Sequence, residues 1–297
     1  ASWGGGSAEA SAALRRLLEG RWAAAEGGPD PTAWSAVARQ PLRVLAWLSQ
    51  VRARLWIRNG TVMLEMLTYY QSPYWHDLAL DMDLLLLQLW LAAAPPGSKS
   101  EAMASIAEAF CAGPLLQGRG TEGMTDEQRL SCAADGLRLL VTLLRESHIA
   151  APARERLRRE LIHRLAVGER GHSSLAEAVT NRDGDGGLLA AALSEVAEYL
   201  DPDLKHPGRY RLRRECWREF DPFFIHYTQQ ELQEALERAG SSGVYEAPMQ
   251  LRPAAPLPPT LAPASGVLLE PRCRDLTLAC LRLQLARPSH GASELAL

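Results

Sequence analysis

The residues of this chain that could do chemistry are its seven histidines, its five cysteines and two glycine-rich loops. Gly118 to Gly123, GRGTEG, satisfies the G-x-G-x-x-G pattern, which cradles a pyrophosphate only between a strand and a helix. A helical pattern precedes it here, so a flexible loop is expected. NRDGDG places Asn181, Asp183 and Asp185 at alternating positions with Gly186 at the turn, like the first half of a calcium loop. The twelfth position, which should supply a bidentate Glu, is Ala192. A polar turn that caps the helix starting at Leu188 is the better reading.

His76 and Asp77 are adjacent and cannot orient one another on a helix. Asn59-Gly60-Thr61 is formally a glycosylation sequon, but that chemistry needs a secreted, exposed loop. Cys111, Cys132, Cys216, Cys273 and Cys280 form no CxxC pair and are odd in number, which suggests neither a disulfide framework nor a zinc ribbon. A reducing compartment fits. His163 and His172 read as packing or capping residues, and Trp56, Trp75, Trp90 and Trp217 as core anchors. No catalytic, cofactor-binding or metal-ligating residue is expected.

The elements that would position these residues are helices. From Pro41, which suits a first turn, Leu42, Leu45, Leu48, Val51 and Leu55 recur at helical spacing. Asn59-Gly60 can close that helix, and the next resumes as TVMLEMLTYY. The apolar run Leu84 to Ala94 is about half the ~20 residues needed to span a bilayer. No membrane association is expected. Further helices fall at 101–112 and 126–148. No repeat of fixed period is apparent, which leaves open stacked helix pairs of irregular length.

Residues 153–221 change character. ARERLRRELIHRLAVG puts Leu157, Leu161, Ile162 and Leu165 on one side of a helix, and Ser174 and Glu177 have capping-box spacing. LLAAALSEVAEYL reads as a third helix, ended by Asp201-Pro202, before a short β-prone segment at GRYRL. Three helices and a small hairpin make a winged helix. Arg154, Arg156, Arg158, Arg159, Arg209, Arg211, Arg213, Arg214 and Arg218 supply basic material. The third helix, however, carries Glu195 and Glu198, which would face phosphates and repel them. The net charge of −3 also argues against nucleic acid as the partner.

The fold expected is mainly α: an irregular helical scaffold followed by a winged-helix domain of three helices and a small β-wing. The boundaries are a flexible segment with a short helix at 1–31, scaffold at 32–150, winged helix at 151–222, an amphipathic helix at 223–243, a proline-rich linker at 244–270 and the start of a further helical region at 271–297.

Three blocks, WIRNGTVMLEMLTYYQSPYWHDLALDMDLLLLQ, RRELIHRLAVGERGHSSLAEAV and GRYRLRRECWREFDPFF, resemble consecutive parts of the UBR-box E3 ubiquitin ligases, the N-recognins of the N-degron pathway. The likeness is closest to the plant and algal type and covers roughly residues 40–275. It implies the middle of a larger RING-type ligase, cytoplasmic or nuclear, which binds destabilising N-termini, recruits an E2 ubiquitin-conjugating enzyme and promotes ubiquitin transfer to a substrate lysine. Zinc is implied in a UBR box and a RING outside this segment. Trp56, Arg58, Gly60, His172, Tyr210 and Trp217 then read as structural anchors, and Arg156, Arg158 and Arg159 as residues facing the E2 or another partner. The competing expectation is a free-standing winged-helix module that binds protein or nucleic acid; a small-molecule enzyme would need a polar pocket that the sequence does not announce.

Overall fold

The computed structural model describes residues 31–56, 58–72, 75, 79–117, 123–149, 151–179, 186–202, 207–245 and 256–285. The chain is mainly α and forms two compact units.

The first unit opens with α1 (Pro31–Arg52) and α2 (Gly60–Gln71) and continues through α3 (Leu80–Ala93), α4 (Pro96–Ala109), the single turn α5 (Gly113–Leu116) and α6 (Asp126–Arg145). Pro41 lies inside α1 and not in its first turn as expected. A proline there forfeits one backbone hydrogen bond. Ala38, Leu42 and Ala46, all buried, carry one apolar face straight across it and hold the helix continuous. Pro96 does start its helix, at the position where a missing N–H costs nothing.

Polar side chains fasten the helices of this unit where their ends would leave backbone groups bare. The buried Gln88 of α3 donates from Nε2 to the carbonyls of Leu143, in the last turn of α6, and of Glu146, the residue that caps it, at 2.9 and 2.7 Å. Thr125 and Gln128 form a capping box at the start of that helix. Tyr70 of α2 donates to Oδ2 of Asp83 in α3 at 2.7 Å. Apart from that bond α2 is thinly held, with Leu67 buried and Val62, Leu64, Met66 and Tyr69 exposed.

The second unit contains α7 (Ala153–Val167), α8 (His172–Ala178), α9 (Gly186–Val196), an antiparallel hairpin of β1 (Ala197–Leu200) and β2 (Arg209–Leu212), a 3-10 helix at Arg214–Glu219, and α10 (Gln229–Ser241). Two details depart from expectation. The third helix ends at Val196, and AEYL is the first strand of the wing, pairing Glu198 with Arg211 and Tyr199 with Tyr210. Helical spacing of apolar residues does persist into AEYL, but cross-strand pairing with GRYRL satisfies its backbone instead. Helix α8 begins at His172 with Gly171 as its unassisted N-cap, so Ser174 and Glu177 lie within the helix and form no capping box.

Leu157, Leu161, Ile162 and Leu165 of α7 are buried as their spacing predicts, packed with Leu175, Leu193, Val196, Leu212, Trp217 and Phe220. Ala235 and Ala239 join the same core, so α10 is part of the winged-helix unit and not an appendage to it.

Beyond the proline-rich stretch the chain rejoins the first unit. A 3-10 helix at Ala262–Leu269 and α11 (Pro271–Leu285) pack on α4 and α6. The buried Lys99 clamps this return, donating from Nζ to Leu91 O at 2.9 Å and to Pro263 O at 2.7 Å.

Candidate functional site

The residues singled out for chemistry do not converge. GRGTEG up to Glu122, NRDGDG up to Asp185, and His76-Asp77 lie outside the described residues. Among the described residues, no group of three or more His, Cys, Asp or Glu could hold a metal ion, and no helix is long and apolar enough to cross a membrane. The side chains that do converge belong to α7, and they form a polar belt.

One turn after another, the arginines of α7 meet carboxylates delivered by the elements that follow it. Arg154 pairs with Glu195 of α9. Arg158 grips Glu219 of the 3-10 helix with both terminal nitrogens, Nη2 lying 2.8 Å from Oε1, and its Nε is 3.7 Å from Glu195. Glu219 accordingly titrates below the usual carboxylate range, chiefly through its hydrogen bond to Arg158. Arg159 lies 3.4 Å from Asp221 and stacks its guanidinium over Phe224 at 5.3 Å. Arg156 is half-buried.

Deeper in the unit the belt becomes a buried network. Glu160 accepts from Arg164 Nε at 2.9 Å and lies 2.7 Å from Nδ1 of His226, all three being under a tenth exposed. Arg164 also reaches Oε1 of Glu231 at 3.0 Å, and the other oxygen of Glu231 accepts the Thr228 N–H in a capping box. A single carboxylate thus ties the start of α10 to α7. Removing one partner from such a network leaves an uncompensated charge in low dielectric, so the network holds α10 and the segment leading into it in one register on α7.

His163 lies at the centre. Its Nδ1 donates to Arg159 O at 2.8 Å, its Nε2 accepts the Asp221 N–H at 3.0 Å, and its ring stacks on Phe224 with centroids 4.2 Å apart. Both nitrogens are engaged in a way that only the neutral ring permits. Burial, followed by the neighbouring Arg159, pushes its pKa down to about 4. This is a packing histidine.

The expected anchors divide in the same manner. Trp217 is buried beside Phe220, and Tyr210 packs between Tyr199 and His172, its ring 5.3 Å from the first and 6.4 Å from the second. Trp56 is half-buried, edge-on to Trp47 at 6.2 Å, and donates its indole N–H to Oε1 of Gln50 at 3.3 Å. The Cβ that an alanine would add at Gly60 falls 3.8 Å from the Trp56 Cβ, an ordinary contact. Arg58 is exposed. Sequence reasoning missed Glu160, Arg164, Glu219 and Glu231; the arginine-rich face of α7 and the acidic α10 were the available signal, and a complementary pairing of the two would have found part of it.

Comparison with known proteins gives an ordered pair of matches. The winged-helix domain of UBR1-like E3 ubiquitin-protein ligases matches residues 156–242, and the ARM repeat domain of UBR1/2/3-like proteins matches residues 13–109. Together they cover more than half of the chain. The chain is similar to the E3 ubiquitin-protein ligase PRT6 of Arabidopsis thaliana, 30% identical over 214 residues, which is 71% of this chain and 10% of that protein. It is also similar to UBR2 of Mus musculus, 26% identical over 73% of this chain and 13% of the relative, and to ubr1 of Schizosaccharomyces pombe, 28% identical over 67% and 10%. The chain spans about a tenth of the length of the curated relatives it matches.

Proposed function

Because the chain belongs to the UBR family of E3 ubiquitin-protein ligases, as a segment joining its ARM-type helices to its winged helix, we propose that it is the scaffold of an N-degron ligase. The full protein recognises destabilising N-terminal residues, recruits an E2 through a RING, and promotes ubiquitin transfer to a substrate lysine in the cytoplasm or nucleus. The single observation that carries this reading is the order of the two matched domains, both from one ligase family, along one short chain.

Such a ligase works by proximity. Holding substrate and charged E2 at a fixed separation raises the effective concentration of the attacking lysine, and a loose scaffold forfeits that gain. The buried Glu160, Arg164, Glu231 and His226 network supplies the stiffness for the winged helix. Zinc belongs to the UBR box and RING of the full protein; the described residues of this segment offer no donor set for it, and they position partners.

Arg156, Arg158 and Arg159 remain the residues that we assign to the partner-facing side. Since Arg158 and Arg159 already hold Glu219 and Asp221, plain charge reversal would damage the fold as well as any interface. The discriminating experiment is a charge swap in the full-length ligase, Arg158→Glu with Glu219→Arg and Glu195→Gln, which preserves the pair between positions 158 and 219, removes the carboxylate that would face the new Glu, and inverts the surface pattern. Weakened E2 binding with intact thermal stability is expected, and unchanged E2 binding overturns the assignment. Replacing residues 151–243 by a flexible linker tests the function itself: ubiquitin transfer to an N-degron substrate should fall while binding of the N-degron peptide persists. Undiminished transfer would defeat the scaffold reading.

The ion pairs favour protein over nucleic acid as the partner of the winged helix. Arginines whose charge is already met by Glu195, Glu219 and Asp221 release few counterions on binding a duplex.

A further inference from the structure

All but two of the 32 basic residues of this chain are arginine, and the two lysines are Lys99 and Lys205. Lysine and arginine carry the same charge and form helices about equally well, so neither charge nor helix formation calls for such a bias. They differ in nucleophilicity. A lysine amine can shed its proton and attack an acyl carbon, whereas a guanidinium stays protonated and does not.

Part of the bias has a structural reason. Arg158 holds Glu219 with both terminal nitrogens, Arg159 lies over Phe224, and Arg164 reaches Glu160 and Glu231 at once, arrangements that use the flat fork that lysine lacks. The exposed arginines are another matter. Arg43 of α1, Arg214 at the start of its 3-10 helix and Arg238 of α10 make no side-chain hydrogen bond or ion pair among the described residues, and an ammonium would serve there as well.

The one lysine among the described residues is sealed. Lys99 is 7% exposed, and its Nζ donates to Leu91 O at 2.9 Å and to Pro263 O at 2.7 Å. Its stem runs against the backbone at Gly266, where an added Cβ would fall 3.0 Å from Cε. Burial lowers its pKa, which favours the free amine, but the two carbonyls and the packed stem leave an acyl carbon no approach to the nitrogen. Lys205 lies outside the described residues.

Given an N-degron ligase as the full protein, an assignment on which the inference rests, we infer that this segment is closed to the ubiquitin transfer that its own protein performs: its exposed cations are guanidiniums, and its buried amine is held by two carbonyls. In that transfer a lysine Nζ attacks the thioester carbonyl joining ubiquitin to the E2 cysteine. The N–C bond forms, the C–S bond breaks, and the amine proton leaves with the sulfur as a thiol. A scaffold that holds a charged E2 raises the effective concentration of every nearby nucleophile, its own included. Surface lysines here would compete with the substrate lysine; arginines keep the charge without competing.

The test uses the full-length ligase with Lys205→Arg, which leaves Lys99 as the one lysine of this segment. The ligase is incubated with charged E2 and an N-degron substrate, and isopeptide-linked ubiquitin is located by peptide mapping. The substrate should be modified and the segment should not. Arg43→Lys, Arg214→Lys and Arg238→Lys each keep the charge; at least one of them should gain ubiquitin at the new lysine, with a matching loss of transfer to the substrate. The same proteins are also treated with acetyl N-hydroxysuccinimide, a small acylating reagent. Lys99 should react at least about tenfold more slowly than the introduced lysines, because it must wait for local opening, and the difference should vanish in denaturant. Ubiquitin on Lys99, a Lys99 as reactive as the introduced lysines, or no ubiquitin at any introduced lysine while the substrate is modified overturns the inference. A substrate left unmodified by every one of these proteins overturns the ligase assignment itself, and the inference with it.

Discussion

Glu160 and Arg164 stand one turn apart on α7, both buried, with Nε 2.9 Å from Oε1. A pair at this spacing on an exposed helix face contributes a few tenths of a kcal/mol. Here the solvent that would screen it is absent, and His226 and Glu231 close the remaining valences.

Breaking that network should therefore cost far more than breaking the outer belt. Glu160→Ala is expected to destabilise the winged helix by about 3–5 kcal/mol, since it takes from the buried Arg164 one of its two carboxylates and from the buried His226 the carboxylate at its Nδ1, leaving Glu231 alone to meet the Arg164 charge. Glu219→Ala, which breaks an ion pair whose side chains are 32% and 47% exposed, should cost no more than about 1 kcal/mol. Denaturant unfolding of the two variants side by side checks the ranking, and equal losses would contradict it.

Acid should weaken the same unit through His163. Its folded pKa of about 4 lies below its ordinary 6.5, so the unfolded chain takes up the proton first. The stabilisation is fully present above about pH 6.5 and is lost as pH falls toward 4, on the order of 3 kcal/mol in all. Unfolding free energies measured across that window should slope in the native chain. The slope should flatten in His163→Asn, which can keep one ring-nitrogen hydrogen bond but does not titrate.

Gly208 is required by its neighbour. A Cβ at this position would lie 2.0 Å from the Tyr199 hydroxyl and 2.8 Å from Cζ, so the ring rests on the bare backbone across the wing. Gly208→Ala should cost about 1–3 kcal/mol by displacing it. Adding Tyr199→Ala should recover most of that loss, because Tyr199 is 55% exposed and gives up little packing. A double-mutant cycle by thermal unfolding reads the coupling.

Lys99 controls the return of the chain to the first unit. Burial lowers its pKa, and its ammonium satisfies two carbonyls 172 positions apart in the sequence. Lys99→Met keeps the length, takes the ammonium from the Leu91 carbonyl at the end of α3 and removes the tie to the Pro263 carbonyl, for a loss of about 1–3 kcal/mol. Limited proteolysis should then cut near Pro263 sooner than in the native chain. Lys99→Arg should fail to rescue it, because the backbone at Gly266 already approaches the Lys99 stem closely enough that an added Cβ would lie 3.0 Å from Cε.

Much of the helical architecture could be read from apolar spacing, because a buried stripe imposes its period on neighbouring residues whatever it packs against. Leu157, Leu161, Ile162 and Leu165 illustrate this, as do the winged-helix order and the family blocks beginning at Trp56. The ARM-type character of residues 13–109 was not apparent as a repeat, since helices of unequal length hide their period.

What the sequence by itself determined was therefore local and periodic: which segments coil, which face each helix buries, and which family shares those blocks. The tertiary structure alone decided the pairings. Arg158 meets Glu219 across 61 positions and Arg164 meets Glu231 across 67, while AEYL became a strand only because GRYRL lay beside it. Trp56 turned from a corner residue into the group that orients Gln50 toward Cys111. The reason is physical: side-chain spacing along one helix fixes a face, but charge and hydrogen bonds act through space, and the distance that governs them exists only after the helices have packed.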